Sequence, residues 1–263
     1  MIGVFDSGVG GLGVLSQIRA QIPDVDIIYV ADHARAPYGT RTLDEVADAV
    51  EEVTSWLFDR GAEMIVLACN TASAAALDKL RRTHPDKTFV GMEPAVKPAS
   101  LTTTTGVIGV LATEATFQGE LFSSVVRRHA TDTTVITAAC PDWVGLVERQ
   151  ETHGPRARAL VADRVVPMLE LDVDCLVLGC THFSFLTDVI SEVAGSDVMI
   201  IDPAPAVARE VRRVMPTGAG SGSLTLATSG NPDILAEQVR HLIGFAATET
   251  VLALPSHGDS HLI

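Results

Sequence analysis

The chain contains no long hydrophobic run and no excess of basic residues. No apolar stretch approaches the roughly 18 residues that a membrane-spanning helix requires. Acidic side chains number 33 against 19 basic ones, so the formal net charge is −14. A chain with this charge is not expected to bind nucleic acid or an anionic membrane. Met1 leads directly into a strand-like segment with no basic leader, and we therefore expect a cytoplasmic protein.

Cysteine and lysine are also scarce. The 263 residues include four cysteines, and no two of them form a CxxC pair. This argues against a disulfide scaffold and against zinc or thioredoxin motifs, and it favours reduced thiols. An enzyme that uses pyridoxal phosphate needs a lysine for its Schiff base. The lysines are Lys79, Lys87 and Lys97, and none falls at the end of a predicted strand, so a pyridoxal-phosphate racemase is disfavoured.

What the sequence does contain is a large hydrophobic fraction, arranged in alternating strand and helix patterns. Apolar residues make up 47% of the chain, enough for one large domain or two small ones. The alternation predicts parallel strands joined by right-handed helical crossovers. We predict strands at 2–5, 26–31, 64–68, 89–92, 106–111, 134–138, 175–179, 199–201 and 224–228. Predicted helices cover 12–21, 44–60, 72–82, 117–129, 157–171, 204–214 and 232–243, with a polar break at 100–105.

Two stretches, 66–73 and 177–184, are near copies of each other. Each carries a cysteine directly after an apolar run, and these two residues, Cys69 and Cys180, lie 111 positions apart. The repetition predicts an α/β protein of two pseudo-symmetric lobes, each a mainly parallel sheet flanked by helices, with the active site between them. We assign 1–96 and 206–255 to lobe one and 97–205 to lobe two. The remaining residues, 256–263, are expected to form a frayed tail.

The position of the two cysteines favours thiol chemistry. Each stands where a predicted strand passes into a helix, and a helix N-terminus attracts anions and lowers the pKa of a nearby thiol. Thiols on opposite faces of one carbon would allow one thiolate to remove a proton while the other thiol returns one. In the alternative interpretation, both cysteines are small buried hydrophobic residues.

Other polar residues near the predicted strand ends also have alternative interpretations. Helix capping is an alternative role for four of them: Asp6, Ser7, Thr71 and Thr181. The glycine-rich turn at 8–11 lacks the GxGxxG order of a dinucleotide site, although Asp32 after the second strand leaves that interpretation open. His182 has no second ligand at metal-binding spacing, so we predict no metal site. Glu148 alone is equally compatible with an exposed helix position.

Five short motifs together resemble one enzyme family. In chain order they are Asp6-Ser7-Gly8-x-Gly10-Gly11, Pro37-Tyr38-Gly39, Cys69-Asn70-Thr71-Ala72-Ser73, Cys140-Pro141 with Val147-Glu148, and Gly179-Cys180-Thr181-His182. In order and spacing they are similar to the glutamate racemases of the aspartate/glutamate racemase superfamily, over residues 2–244. The resemblance implies a cofactor-independent racemase that makes D-glutamate for peptidoglycan from L-glutamate.

The resemblance also implies roles for single residues. Cys69 and Cys180 would each serve one face of the substrate, with Asp6 supporting Cys69 and with His182 and Glu148 supporting Cys180. The matching substrate-binding positions are Asp6, Ser7, Tyr38, Gly39, Asn70, Thr71, Thr113, Thr116, Thr181 and His182. The expected partner is a small amino acid, with no nucleic acid, membrane or resident cofactor. A homodimer is expected only because dimers are the commonest oligomers.

Two segments differ from the usual family sequence. Phe183-Ser184-Phe185 stands where Tyr-Pro-Leu is common, and 91–98 differs from the more familiar glycine-bearing loop. A racemase for aspartate or hydantoins is therefore an alternative. So are a hydrolase or lyase that uses one cysteine as nucleophile and a non-catalytic binding module. Because no extension precedes Ile2, we do not expect regulation by a cell-wall precursor.

Overall fold

The computed structural model describes residues 1–215, 220–244 and 251–254, with the backbone alone at 251–253. The strands are β1 (Ile2–Asp6), β2 (Ile27–Ala31), β3 (Met64–Leu67), β4 (Thr88–Gly91), β5 (Val107–Ala112), β6 (Thr134–Ala139), β7 (Cys175–Leu178), β8 (Met199–Ile201), β9 (Leu224–Thr228) and β10 (Val251–Ala253). The helices are α1 (Leu12–Gln21), α2 (Leu43–Asp59), α3 (Asn70–Thr83), α4 (Val96–Thr102), α5 (Glu114–Gln118), α6 (Glu120–His129), α7 (Pro141–Glu148), α8 (Pro155–Leu169), α9 (Thr187–Ala194), α10 (Ala204–Val214) and α11 (Pro232–Ile243). Short 3-10 turns cover His33–Arg35, Tyr38–Thr40 and Thr181–Leu186.

The strands form two parallel sheets that share one strand order. The first sheet has the order β10-β9-β2-β1-β3-β4, and the second has the order β6-β5-β7-β8. Within them, β2-β1-β3-β4 corresponds to β6-β5-β7-β8, which confirms the predicted α/β class with two similar lobes. The strand β9 runs parallel to β2 with Leu224 opposite Ile27, so the chain returns to the first sheet after it has built the second. We call the part built on the six-stranded sheet lobe one and the part built on the four-stranded sheet lobe two.

Burial explains why these segments form strands and where the helices pack. Every residue of β3 and of β7 is buried, as expected for parallel strands covered by helices on both faces. The helix α10 packs against α1. In lobe two, Trp143 of α7 meets Phe183 edge to face with ring centroids 4.8 Å apart. This aromatic pair fixes α7 beside the 181–186 turn, and both carry predicted site residues.

Some predicted boundaries are wrong. The polar break expected at 100–105 begins only at Thr103, because α4 extends to Thr102. Asp174 holds the break in place, since its carboxylate accepts hydrogen bonds from Thr103 Oγ1 at 2.5 Å and from the backbone of Thr104 at 2.6 Å. The helix predicted at 117–129 is interrupted by the extended backbone of Gly119 between α5 and α6. The helices α4, α7 and α9 have no counterpart among the predicted ones, because at seven or eight residues each is too short for a clear periodicity.

The lobe boundaries drawn from the sequence stay a prediction. The predicted tail at 256–263 lies outside the described residues. In the part of the chain that the structure describes, no helix combines the length and the apolar character needed to cross a membrane.

Candidate active site

Cys69 follows β3 and forms the N-cap of α3. Its Sγ accepts a hydrogen bond from the backbone N–H of Ala72 at 3.4 Å and donates to Ser7 Oγ at 3.9 Å. Burial raises the pKa of the Cys69 thiol, the charge of Asp6 raises it further, and the Ala72 N–H opposes both effects. The expectation of a lowered thiol pKa is therefore wrong for Cys69, because removal of water outweighs the hydrogen bond that the helix N-terminus donates.

Cys180 occupies the corresponding position after β7, where an extended backbone leads into the 181–186 turn. Its Sγ lies 3.8 Å from Nδ1 of His182. On the other side of the ring, Nε2 of His182 lies 2.7 Å from Oε1 of Glu148. The thiol, the imidazole and the carboxylate therefore form a continuous chain in which the carboxylate orients the histidine toward the sulfur.

His182 and Glu148 stabilise each other in their charged forms. Burial acts against the charge of His182, but contacts with Cys180 and Glu148 raise the pKa of His182 well above the ordinary 6.5. Burial would also raise the pKa of Glu148, yet the hydrogen bond from His182 and the nearby His33 ring hold it well below the ordinary 4.5. The two thiols thus lie in different electrostatic environments, although they occupy equivalent positions in the two lobes.

Asp6 is fully buried at the end of β1 and connects the two lobes. Its Oδ1 accepts a hydrogen bond from Gly8 N at 2.7 Å, and its Oδ2 accepts one from Thr181 Oγ1 at 3.0 Å. Burial raises the pKa of Asp6, which the charge of His182 and these hydrogen bonds partly oppose. Asp6 thus contacts Thr181, the neighbour of Cys180, directly, and its charge raises the pKa of Cys69. Its predicted support of Cys69 stays a prediction.

Cys69 of lobe one and Cys180 of lobe two line the same cavity. Its volume of about 10 Å³ is near the smallest that holds one water molecule. Ten of the predicted site residues line it: Ser7, Tyr38, Gly39, Cys69, Asn70, Thr71, Thr113, Cys180, Thr181 and His182. Three others lie behind this wall and contact it: Asp6, Thr116 and Glu148. The folded chain therefore brings at least one residue of each of the five motifs to one place.

Part of the cavity wall is made of polar groups with spare hydrogen-bonding capacity. The hydroxyl of Thr71 lies 2.9 Å from that of Thr113 and 3.3 Å from that of Thr116, so the three oxygens form a triangle between the lobes. Asn70 is buried, and neither atom of its amide has a hydrogen-bond partner among the described residues. A buried amide without partners is costly, which indicates a polar ligand at this point of the cavity.

The glycine-rich turn at 8–11 allows the lobes to approach closely. A Cβ at Gly8 would overlap Oε1 of Glu148, and a Cβ at Gly10 would overlap Nδ1 of His182 and Oγ1 of Thr181. These glycines are therefore required for contact with lobe two rather than for a phosphate group.

Asp32, which left the dinucleotide interpretation open, has its hydrogen-bonding capacity used within the protein. It is fully buried and accepts hydrogen bonds from Tyr38 OH at 2.5 Å, Arg35 Nε at 2.7 Å and Ser229 Oγ at 2.6 Å. Through the first of these bonds, Asp32 positions Tyr38 in the cavity wall.

Four residues at the site were not among the predicted ones. Pro37 and Val144 line the cavity, while His33 and Gln238 contact Glu148 from lobe one. Pro37 belongs to the Pro37-Tyr38-Gly39 motif, and that motif could have identified it. The other three carry no local pattern, because they reach the site only through the packing of one lobe on the other. Within the described residues, no group of three or more His, Cys, Asp or Glu side chains is arranged to bind a metal.

Solved structures resemble this chain over nearly its whole length. A glutamate racemase isoform from Bacillus anthracis matches with a TM-score of 0.89 and 31% identity, covering 97% of each chain. A glutamate racemase from Escherichia coli, solved with L-glutamate and the activator UDP-MurNAc-ala, matches with a TM-score of 0.84 and 28% identity, covering 98% of each chain.

Sequence comparison agrees with the structural similarity. A glutamate racemase from Roseiflexus sp. (strain RS-1) is 44% identical over 248 residues, which cover 92% of this chain and 91% of the relative. A glutamate racemase from Pseudomonas paraeruginosa is 45% identical over 218 residues, covering 83% of this chain and 82% of the relative. The model of the Asp/Glu/hydantoin racemase family matches residues 12–211. This chain belongs to the Asp/Glu/hydantoin racemase family.

Proposed function

We propose that this protein is a cofactor-independent glutamate racemase that interconverts L- and D-glutamate with two thiols. The observation that carries the proposal is that Cys69 of lobe one and Cys180 of lobe two line one cavity. Relatives that are 44% and 45% identical over most of the chain carry the name glutamate racemase, which supports glutamate as the substrate.

In the proposed reaction, a thiolate on one cysteine removes the α-proton of glutamate and becomes a thiol. The carbanion that remains takes a proton from the thiol of the other cysteine, on the opposite face, and that cysteine becomes a thiolate. The configuration at the α-carbon is inverted, and thiol and thiolate have exchanged places. The surroundings of the two sulfurs differ, since Cys180 lies 3.8 Å from Nδ1 of His182 whereas burial raises the pKa of the Cys69 thiol.

The polar wall of the cavity fits an amino acid with charged groups. The hydroxyls of Thr71, Thr113 and Thr116 are proposed to hold a carboxylate, next to the N-terminus of α3, which also favours negative charge. The unpaired amide of Asn70 can serve a carboxylate through its NH₂ and an ammonium group through its oxygen. The remaining polar contacts are assigned to Asp6, Ser7, Tyr38, Gly39, Thr181 and His182.

Glutamate is far larger than the closed cavity, so we propose that the lobes separate to admit it. A second cavity of about 800 Å³ adjoins the first and is lined by residues of both lobes. Ser7, Pro37 and Val144 line both cavities, so they form the boundary between them. The larger cavity is the proposed route to the thiols.

The cellular role proposed for this reaction is the supply of D-glutamate for peptidoglycan in the cytoplasm. All four cysteines are free and buried, which supports a reducing compartment. The homodimer and the division into 1–96 with 206–255 and 97–205 stay predictions.

Incubation of the cofactor-free protein with L-glutamate in heavy water tests the proposed function. Chiral chromatography and mass spectrometry should find D-glutamate that carries one α-deuterium, because the returning proton comes from a thiol that has exchanged with solvent. L-Aspartate and a hydantoin, incubated separately, should show much slower exchange.

Turnover of aspartate or of the hydantoin in place of glutamate would keep the two-thiol reaction and change the substrate. Absence of α-exchange with all three substrates would contradict racemisation. In that case a covalent intermediate on one cysteine, detected by intact-protein mass spectrometry, would favour a hydrolase or lyase.

A further inference from the structure

The carboxylate of Glu148 is a meeting point of the two lobes. Glu148 ends α7 of lobe two, and its Oε1 accepts hydrogen bonds from His182 of the same lobe and, at 3.0 Å, from Val9 N of lobe one. Its Oε2 lies 3.4 Å from His33 Nε2 and 3.4 Å from Gln238 Nε2, both of lobe one. Gln238 Nε2 also donates to the backbone carbonyl of Glu148 at 2.9 Å. Three groups of lobe one therefore hold one residue of lobe two.

The end of β9 orients the ring of His33. Nδ1 of His33 lies 3.1 Å from Thr228 Oγ1, and that oxygen accepts a hydrogen bond from Gly230 N at 3.0 Å. Because the oxygen already accepts one bond, the hydroxyl hydrogen of Thr228 is free to donate to Nδ1. A ring that accepts this bond at Nδ1 carries a hydrogen on Nε2, which faces the carboxylate of Glu148. This Nε2 is buried without a hydrogen bond of ordinary geometry among the described residues, and Glu148 at 3.4 Å is the acceptor placed to satisfy it.

We propose that His33 and Gln238 are positioning residues that latch the two lobes closed through Glu148. Glu148 also holds His182, so the contacts that close the cavity are the same ones that complete the support of Cys180. When the lobes separate, the carboxylate loses its lobe-one donors, and the acid–base pair beside Cys180 is no longer held from both sides. The link to catalysis rests on the proposed function, whereas the latch itself can be tested without glutamate.

The rate at which iodoacetamide alkylates the cavity thiols measures how often the lobes open. The closed cavity of about 10 Å³ does not admit the reagent, so Cys69 and Cys180 react in proportion to the population of open molecules. His33→Leu and Gln238→Leu each remove one lobe-one donor and keep a side chain of comparable size. We expect Gln238→Leu to speed the alkylation of both thiols by about tenfold, the effect on an equilibrium of losing one hydrogen bond of ordinary strength. We expect His33→Leu to speed it by about fivefold, because the contact between His33 Nε2 and Glu148 is longer than an ordinary hydrogen bond. Peptide mass mapping gives the rate for each cysteine.

Two kinds of control separate opening from unfolding. His33→Gln keeps an N–H group near the position of Nε2, so its rates should stay within about twofold of the wild type. Cys140 and Cys175 are fully buried and line neither cavity, so they should stay unreactive as long as the protein is folded.

Unchanged alkylation of Cys69 and Cys180 in both leucine variants would overturn the latch. Faster reaction of Cys180 alone would also overturn it, because opening exposes both thiols. If reaction of Cys140 and Cys175 reveals that a leucine variant has unfolded, Thr228→Val repeats the test by releasing the His33 ring. Racemisation of glutamate is measured separately, so its failure would refute the proposed function while the alkylation result still decides the latch.

Discussion

Two cysteines in equivalent positions of the two lobes have different neighbours. Cys69 contacts Ser7 Oγ and a backbone N–H, while Cys180 lies next to an imidazole that is held by Glu148. In the proposed reaction one sulfur removes a proton and the other donates one, and these different neighbours distinguish the two sulfurs before substrate binds. The repeated sequence thus supplies two equivalent sulfurs, and the packing of the lobes gives them different surroundings.

Serine in place of either cysteine should abolish the reaction. We expect Cys69→Ser and Cys180→Ser each to lower kcat for racemisation by about 10³-fold, the loss typical of removing an acid–base group, because a hydroxyl is a far weaker acid than a thiol. The rate of D-glutamate formation from L-glutamate measures the effect.

Cys175→Ala is the matched control for the cysteine variants. Cys175 begins the same strand that Cys180 follows, and it is buried away from the cavity lining. This variant should keep wild-type activity, and circular dichroism should show all three variants folded. Full activity in either serine variant would exclude the two-thiol mechanism.

The pair of Glu148 and His182 should make stability depend on pH in a defined direction. The pKa of Glu148 is lowered from 4.5, so its ionisation stabilises the fold above pH 4.5, and this stabilisation is lost as pH falls toward the lowered value. The pKa of His182 is raised above 6.5, so its protonation stabilises the fold below pH 6.5, and this stabilisation is lost as pH rises through the raised value. The pair therefore contributes most between pH 4.5 and 6.5.

Glu148→Gln tests this pH dependence. We expect the variant to be less stable than the wild type by about 2 kcal/mol in that window, as for a lost hydrogen bond between charged groups. The difference should shrink on both sides of the window, which thermal unfolding at a series of pH values measures. A difference that stays constant from pH 4 to pH 9 would show that the contribution is not ionic.

At the scale of secondary-structure elements, the turn between β1 and α1 brings the two lobes into contact. Gly8 of this turn lies against Glu148 and Gly10 against His182, so the absence of side chains at these two positions determines how closely lobe one approaches the site residues of lobe two. A motif that superficially suggests phosphate binding serves close packing in this fold.

Gly10→Ala should disturb the site without disturbing the helix that follows. The new Cβ would overlap Nδ1 of His182, the atom that faces Cys180. We expect kcat/KM to fall by about 10²-fold, as a displacement of a reacting group by about 1 Å can cause.

Gly13→Ala is the control within the same segment. A Cβ at Gly13 would meet Ser184 Cβ at 3.7 Å, an ordinary contact, and alanine is a better helix former than glycine. Activity should therefore be retained and stability should rise by about 0.5 to 1 kcal/mol. Equal loss of activity in both variants would show that the effect comes from the helix and not from contact with His182.

For the whole molecule, the closed cavity makes the arrangement of the lobes part of the site. Asp6 with Thr181, Thr71 with Thr113, and the donors around Glu148 all connect one lobe to the other. A ligand held between the lobes should therefore stabilise the protein as a unit.

Glutamate should raise the melting temperature, and Cys69→Ser allows this to be measured without turnover. At a ligand concentration of 100 times Kd, binding to the native state adds about 2.7 kcal/mol to the free energy of unfolding. Both L- and D-glutamate should produce the shift in differential scanning fluorimetry, and L-leucine at the same concentration should not. Equal shifts with leucine and glutamate would contradict a site selective for a second carboxylate.

The alternation of apolar runs and helical periods predicted the parallel α/β lobes, because these patterns depend on short-range spacing. Short and interrupted helices were not predicted: α7 has only eight residues, and Gly119 separates α5 from α6. The repeated stretches with Cys69 and Cys180 also indicated where the site lies, since these cysteines follow β3 and β7, which occupy corresponding positions in the two sheets. The fold class and the family were therefore predictable from the sequence.

Tertiary structure decided what surrounds those cysteines. His33 and Gln238 reach Glu148 across the lobe interface, and neither residue belongs to a motif. The pKa of Cys69 is raised and not lowered, because the burial that dominates it depends on how the lobes close. Local patterns specify helices and strands, whereas contacts between distant segments and the exclusion of water arise only when the whole chain has packed.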